Sequence, residues 1–306
     1  MVEKDTEFGM AADDPKTLCF RDDATGRRAL GGLSAPVVGV FDSGVGGLSV
    51  VREILVQVPG CSVIYVADHV HAPYGERTEA DVRMLSEGIS RFLRHAGAEV
   101  IVLACNSASA AALYALRELF PETSFIGMEP AVKPAVERTK RGKIGVIATA
   151  VTLQGEPYAG VIRRYAHHVD VVTRLCPRFV PLVEAGDLHS DTARDVVRTA
   201  LAPLRRAGID ELVLGCTHYT FLKPLIEEIM GDDVEVIDPA AAVARHTGQV
   251  LRASSAPNSE SRRDRRGHVF VTTDDVGRLT RALDQLLRVQ ATVVSAQWCA
   301  GRRRSW

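Results

Sequence analysis

The sequence predicts two similar α/β domains with mostly parallel sheets, and three observations carry that reading. Short apolar runs alternate with longer stretches whose apolar residues recur at helix spacing, the rhythm of strand–helix units. The apolar runs are continuous, as in strands buried on both faces. The order of elements then restarts. Val100–Ala104 leads into Cys105-Asn106-Ser107, and Glu211–Leu214 leads, one residue on, into Cys216-Thr217-His218. The spacing from Cys105 to Glu129 nearly equals that from Cys216 to Asp238, which makes a weak internal repeat. Two such domains would set their strand ends around a common cleft.

The elements follow in order. Residues 1–35 mix Asp, Arg, Gly and Ala without a period, and read as a disordered extension lacking a core of its own. Val37–Phe41 is a strand, DSGVGG (Asp42–Gly47) a turn, and Leu48–Gln57 a helix with Leu48, Val51 and Leu55 on one face. Ser62–Val66 is a strand, Glu79–Arg94 a helix, Val100–Ala104 a strand, Ser109–Leu119 an Ala-rich helix and Ser124–Gly127 a strand. The second half gives strands at Lys143–Ala148, Val169–Thr173, Glu211–Leu214 and Val234–Ile237. Its helices fall near Pro157–Tyr165, at Ser190–Arg206 and from the CTHY motif to Met230. A helix over Ala240–Arg252, a solvated loop over Ala253–Gly267, a strand over His268–Thr273 and a helix over Val276–Leu287 precede a tail expected to fray.

The totals exclude several classes. Lys plus Arg (37) nearly balances Asp plus Glu (38), so net charge gives no reason to expect nucleic-acid or membrane binding. Arg302–Arg304 is a small footprint and reads as solvated charge. No run is long enough to span a membrane, and the acidic start lacks the apolar core of a secretory signal, so a cytoplasmic location is expected. The six cysteines share no CxxC spacing, which argues against a zinc or thioredoxin-like site, and in a cytosolic chain their thiols should stay reduced. Cys61 and Cys176 read as ordinary small core residues, and Cys19 and Cys299 fall in segments expected to be poorly ordered.

Four stretches could carry chemistry. The glycines of DSGVGG let backbone N–H groups turn inward at a helix start, which suits an anion, although the same turn could simply be capped by Asp42 or Ser43. ADHVHAPYG (Ala67–Gly75) gathers Asp68, His69, His71 and Tyr74 beside a turn at Pro73-Tyr74-Gly75, where histidines on a strand end more simply line a loop than bind a metal. Cys105 and Cys216 stand at matched repeat positions, with Asn106, Ser107 and Thr217 as neutral donors for a carboxylate. His218 could share a proton with Cys216 and raise its thiolate fraction. Glu184 is approached by an apolar run, so partial burial and a raised pKa are expected. Two thiols on opposite sides of one substrate suit inversion of a carbon centre, in which a thiolate takes a proton from one face and a thiol returns one to the other. A metal-free, cofactor-free site is the simplest reading.

GVFDSGVGGLSVVREI, VADHVHAPYGERT, VLACNSASAAAL, IGMEPAVKPA, CPRFVPLVEAG, LVLGCTHYTFLKPLI and VIDPA, in that order, resemble the glutamate racemases of the aspartate/glutamate racemase superfamily, from about Pro36 to Ala242, and HVFVTTD resembles the family's closing strand. The resemblance implies two pseudo-symmetric α/β domains with the site in the cleft between them. The second (128–237) would be inserted in the first (36–127 plus 238–290), flanked by the 1–35 extension and a 291–306 tail. It implies cofactor-independent interconversion of L- and D-glutamate, supply of D-glutamate for bacterial peptidoglycan, and a homodimer. Cys105 and Cys216 would be the acid/bases, the first acting on the D- and the second on the L-enantiomer. Asp42 would assist Cys105, while Glu184 and His218 would assist Cys216. Asp42, Ser43, Pro73, Tyr74, Gly75, Asn106, Ser107, Thr217 and His218 match substrate contacts, with Thr149 and Thr152 as weaker candidates. Where the family commonly reads DTARVPYG, this chain has His69 and His71, and its CNT motif reads CNS. A racemase for aspartate or another acidic amino acid, or an inactive binding protein, are the rival readings. Some family members are said to affect DNA gyrase, which the near-neutral charge neither supports nor refutes.

Overall fold

Two sheets organise the molecule, and the computed structural model describes residues 17–33, 36–254, 267–289 and 291–299. The strands are β1 (Thr17–Phe20), β2 (Val37–Asp42), β3 (Ser62–Ala67), β4 (Val100–Leu103), β5 (Ser124–Gly127), β6 (Lys143–Ala148), β7 (Asp170–Leu175), β8 (Glu211–Gly215), β9 (Glu235–Ile237), β10 (His268–Thr272) and β11 (Thr292–Cys299). The larger sheet runs β1-β11-β10-β3-β2-β4-β5 and the smaller β7-β6-β8-β9. Every pairing is parallel except β1 on β11. The protein is therefore α/β with mostly parallel sheets. As the continuous apolar runs predict, every residue of β2, β3, β4 and β8 is buried.

The two sheets share apolar packing. Leu48 and Val51, on the helix Leu48–Gln57 behind β2, belong to the same buried cluster as Phe179, Tyr219 and Leu222 from the second half. The apolar stripe of that helix thus faces one continuous core.

The structure corrects several expectations. The extension is ordered over residues 17–33, where β1 and a helix at Asp23–Leu30 pack on the larger sheet. Leu18 and Phe20 are buried, and Phe20 packs edge-on to Phe92 with ring centroids 5.2 Å apart. Burying one such ring contributes about 1.5–3 kcal/mol. Gly26 lies directly on that ring, where a Cβ would come within 2.2 Å of it. TLCF offers only two inward residues, too few for a visible period, so composition misled the reading. The tail does not fray at its start: β11 is a full strand beside β10, with Val294 and Ala296 buried. Antiparallel pairing brings Cys19 and Cys299 to a Cα separation of 6.3 Å, and they form a disulfide, contrary to the expectation of six reduced thiols.

The helix expected from Cys216 to Met230 is two pieces, a 3₁₀ segment Thr217–Leu222 and an α-helix Lys223–Met230. Pro224 explains the break, since proline lacks an N–H and suits a helix start. The final helix is α over Val276–Ala282 and widens into a π turn over Leu283–Leu287. Short helices at Val132–Arg138, Ala150–Gln154 and Phe179–Glu184 were not anticipated. Most of the expected 253–267 loop, residues 1–16 and the Arg302–Arg304 run lie outside the described residues, while Ala253 and Ser254 end the helix Ala240–Ser254. Among the described residues no helix is long and apolar enough to cross a membrane.

Candidate active site

Parallel strands deliver their carboxyl ends to one side of each sheet, and loops there bind ligands. Asp42 ends β2, Asp68 follows β3, Cys105 follows β4, Thr149 follows β6 and Cys216 follows β8. These ends surround one cavity of about 300 Å³. Of the residues singled out from sequence, Ser43, His69, Pro73, Tyr74, Gly75, Cys105, Asn106, Ser107, Thr149, Glu184, Cys216, Thr217 and His218 line it, and Cys176, read as a core residue, borders it as well. Both thiols therefore open into the same space, and both are largely buried, at 6% and 8% exposure. Asp42 stands behind the lining: its Oδ1 accepts from Gly44 N–H (2.8 Å) and Ser43 (3.3 Å), and its Oδ2 from Thr217 (2.9 Å). Thr152 also stands behind, 3.0 Å from Thr149 Oγ1.

DSGVGG does hold an anion, but the anion is part of the protein. Val45 N–H donates to Glu184 Oε1 at 2.9 Å. The glycines admit that approach, since a Cβ at Gly44 would lie 1.9 Å from Glu184 Oε1 and one at Gly46 would lie 2.3 Å from His218 Nδ1. Only a bare backbone fits there.

Glu184, at the end of the helix Phe179–Glu184, collects further partners. His218 Nε2 donates to its Oε1 at 2.7 Å, and Arg278 Nη2 to its Oε2 at 2.9 Å. Burial pushes the Glu184 carboxyl up, but hydrogen bonds from His218 and His69 and the His218 charge reverse this and hold it well below the usual carboxylate range. The expectation of a raised Glu184 pKa is thereby corrected: burial came with donors. For His218 the signs are mirrored. Burial lowers it, yet hydrogen bonding to Cys216 and Glu184 carries it well above the usual imidazole value. The pair is thus imidazolium and carboxylate, and His218 Nδ1 lies 3.9 Å from Cys216 Sγ.

Cys105 has the opposite surroundings. Burial, and then the Asp42 carboxylate, drive its thiol well above the ordinary range. Asp42 is itself raised, chiefly by burial. One sulfur therefore faces a cation and the other a buried carboxyl.

While His69 Nε2 lies 3.6 Å from Glu184 Oε2, one buried polar group on the cavity wall, the Asn106 amide, has neither of its atoms satisfied. Such atoms call for a polar ligand. Ser107 and Thr149 meet across the cleft at 3.0 Å. His69 and His71 diverge: His69 Nδ1 is 3.0 Å from Thr272 Oγ1, while His71 Nδ1 is 3.1 Å from Asp68 Oδ2. Sequence reasoning missed Arg278, which reaches Glu184 from a helix after β10 and carries no local signal.

The Asp/Glu/Hydantoin racemase family matches residues 38–247, and the chain belongs to that family; it is an isomerase. A glutamate racemase of Pseudomonas paraeruginosa is 50% identical over 218 residues, 71% of this chain and 82% of that protein. One from Herpetosiphon aurantiacus is 47% identical, covering 73% of this chain and 88% of its own length. Among solved structures, the Bacillus anthracis glutamate racemase isoform RacE1 superposes with a TM-score of 0.76 at 33% identity, over 85% of this chain and 97% of that one. The Escherichia coli glutamate racemase, solved with L-glutamate and the activator UDP-MurNAc-ala, gives 0.77 at 31% identity, over 87% of this chain and 100% of that one.

Proposed function

We propose that this protein interconverts L- and D-glutamate by two-base proton transfer between Cys105 and Cys216. The observation that carries the reading is two thiols, from matched strand ends of the two sheets, on the wall of one cavity. Starting from L-glutamate, the Cys216 thiolate takes the α-proton and the Cys105 thiol donates its own to the opposite face. The product is D-glutamate, and the two sulfurs have exchanged protonation states. The reverse reaction starts from that exchanged state. The charges around the sulfurs suit this order: the His218 imidazolium lies 3.9 Å from Cys216, and burial beside Asp42 favours a thiol at Cys105. The α-carbanion character that develops needs donors at the carboxylate. Asn106, Ser107 and Thr217 are neutral donors on the wall and fit that role. No step calls on a metal or cofactor.

The acidic-substrate assignment rests on the named relatives and on the unpaired Asn106 amide. D-Glutamate from this reaction would serve bacterial peptidoglycan. A cytoplasmic location and a homodimer belong to the same reading. The test is a chiral assay of L-glutamate in D₂O without added cofactor, beside L-aspartate. Racemisation of glutamate with deuterium at the α-carbon is expected. Retained L-configuration with intact thiols would sink the proposal, and faster turnover of aspartate would reassign the substrate.

A further inference from the structure

Asp68 is fully buried behind the cavity wall and is saturated with donors. Tyr74 donates to Oδ2 at 2.7 Å, Thr273 to Oδ1 at 2.9 Å, and His71 Nδ1 lies 3.1 Å from Oδ2. The remaining donor is the indole N–H of Trp298, 2.9 Å from Oδ1. Trp298 also meets the His71 ring edge-on at 5.3 Å between centroids. It sits on β11, beyond the residues matched by the family, on a strand held by β10 on one side and β1 on the other. Leu18 of β1 is its register partner, and the next residue is Cys299, which bonds to Cys19.

Tyr74 belongs to the Pro73-Tyr74-Gly75 turn, which forms part of the cavity wall. The turn is seated closely against the other sheet: a Cβ at Gly75 would lie 2.9 Å from Thr149. The Tyr74 hydroxyl ends on Asp68, so the placement of that turn depends on where the carboxylate is fixed. Without the indole N–H, Asp68 rests on His71, Tyr74 and Thr273 alone, and a carboxylate that turns to compensate carries the Tyr74 hydroxyl with it.

We propose that Trp298 is a positioning residue of the racemase site, holding Asp68 and through it the Tyr74 wall of the substrate cavity. The appended strands β1 and β11 thereby help to shape the substrate cavity instead of merely extending the sheet edge. This rests on the glutamate reading above.

The parent protein is assayed first, then Trp298→Phe, which keeps a ring on the strand and removes the N–H. The expected result is a KM for both enantiomers raised about fivefold with kcat within about twofold, the pattern of lost uniform binding. Because enantiomers have an equilibrium constant of unity, kcat/KM must fall by the same factor in both directions. The chain has two tryptophans, so Trp306→Phe leaves Trp298 as the sole indole reporter. Its emission is expected to shift saturably on titration with D- or L-glutamate, with a midpoint near KM. This second measurement decides the matter should Trp298→Phe not fold. A parent that racemises glutamate while Trp298→Phe keeps its KM, or while the single-tryptophan protein shows no shift, overturns the positioning role alone. A parent inactive on glutamate overturns the substrate reading and this inference with it.

Discussion

Cys105 and Cys216 occupy the same place in two sheets, just past the carboxyl end of β4 and of β8, yet their surroundings are electrically opposite. Cys105 has a buried carboxyl, Asp42, as its leading charged neighbour. Cys216 has His218, and behind it Glu184, Val45 N–H and Arg278 in series. A repeated fold places the two sulfurs alike, and the charges beside them differ. Symmetry of backbone does not require symmetry of protonation.

The largest expected effect comes from removing either sulfur. Cys105→Ala and Cys216→Ala should each lower racemisation by about 10²- to 10⁴-fold with unchanged circular dichroism. The comparison sharpens in D₂O. Cys105→Ala should still exchange the α-proton of L-glutamate only, and Cys216→Ala that of D-glutamate only. Exchange of both enantiomers by either variant would break the assignment of faces.

Next comes the charge relay. Glu184→Gln removes the anion beside His218, so the imidazole pKa should fall, at a cost of about tenfold in imidazolium for each unit above it. A folded-state pKa that is raised means the cationic form is lost as pH rises through it. The alkaline limb of the pH–rate profile should therefore move to lower pH in Glu184→Gln, which removes the hydrogen-bonded partner of His218, and by less in Asp42→Asn, which removes a through-space one. An unmoved limb in both would show that His218 does not govern Cys216.

Gly46→Ala tests the close approach that the turn permits. Its Cβ would fall 2.3 Å from His218 Nδ1, so the backbone or the ring must shift. Destabilisation of about 1–3 kcal/mol is expected by thermal unfolding, with a loss of activity that Gly60→Ala would not share.

The smallest effect lies away from the cavity. Glu211, at the start of β8, has its carboxyl pushed up to about 7 by burial and then by Glu235 and Asp210. The folded state thus prefers the protonated form, and stability is lost as pH rises from the ordinary carboxylate range through about 7. Glu211→Gln should therefore raise the melting temperature at pH 8 and leave it nearly unchanged at pH 4. Equal shifts at both pH values would contradict this.

Much of this was legible in the chain. Strands buried on both faces announce themselves as unbroken apolar runs, and Cys105 and Cys216 are conspicuous because they close two such runs with polar residues behind them. Elements built from few inward residues were not legible. β1 buries two side chains, and β11 alternates too weakly to stand out from a polar tail. The helix Phe179–Glu184 carries Pro181 and spans six residues, which hides its period. Arg278 and Trp298 act through contacts with residues far away in sequence, and nothing local marks either. The glycines of DSGVGG were visible, but their purpose was not, because the carboxylate they admit comes from the other half of the chain.

Hydrogen bonds join the halves around the cavity: Thr217 to Asp42, Val45 and Arg278 to Glu184, and Ser107 with Thr149. Any motion wide enough to release a product must sever them. Separating the halves would break the Val45 and Arg278 contacts to Glu184 but not the His218–Glu184 bond, which lies within the second half. The charged pair would therefore travel with Cys216 as one unit.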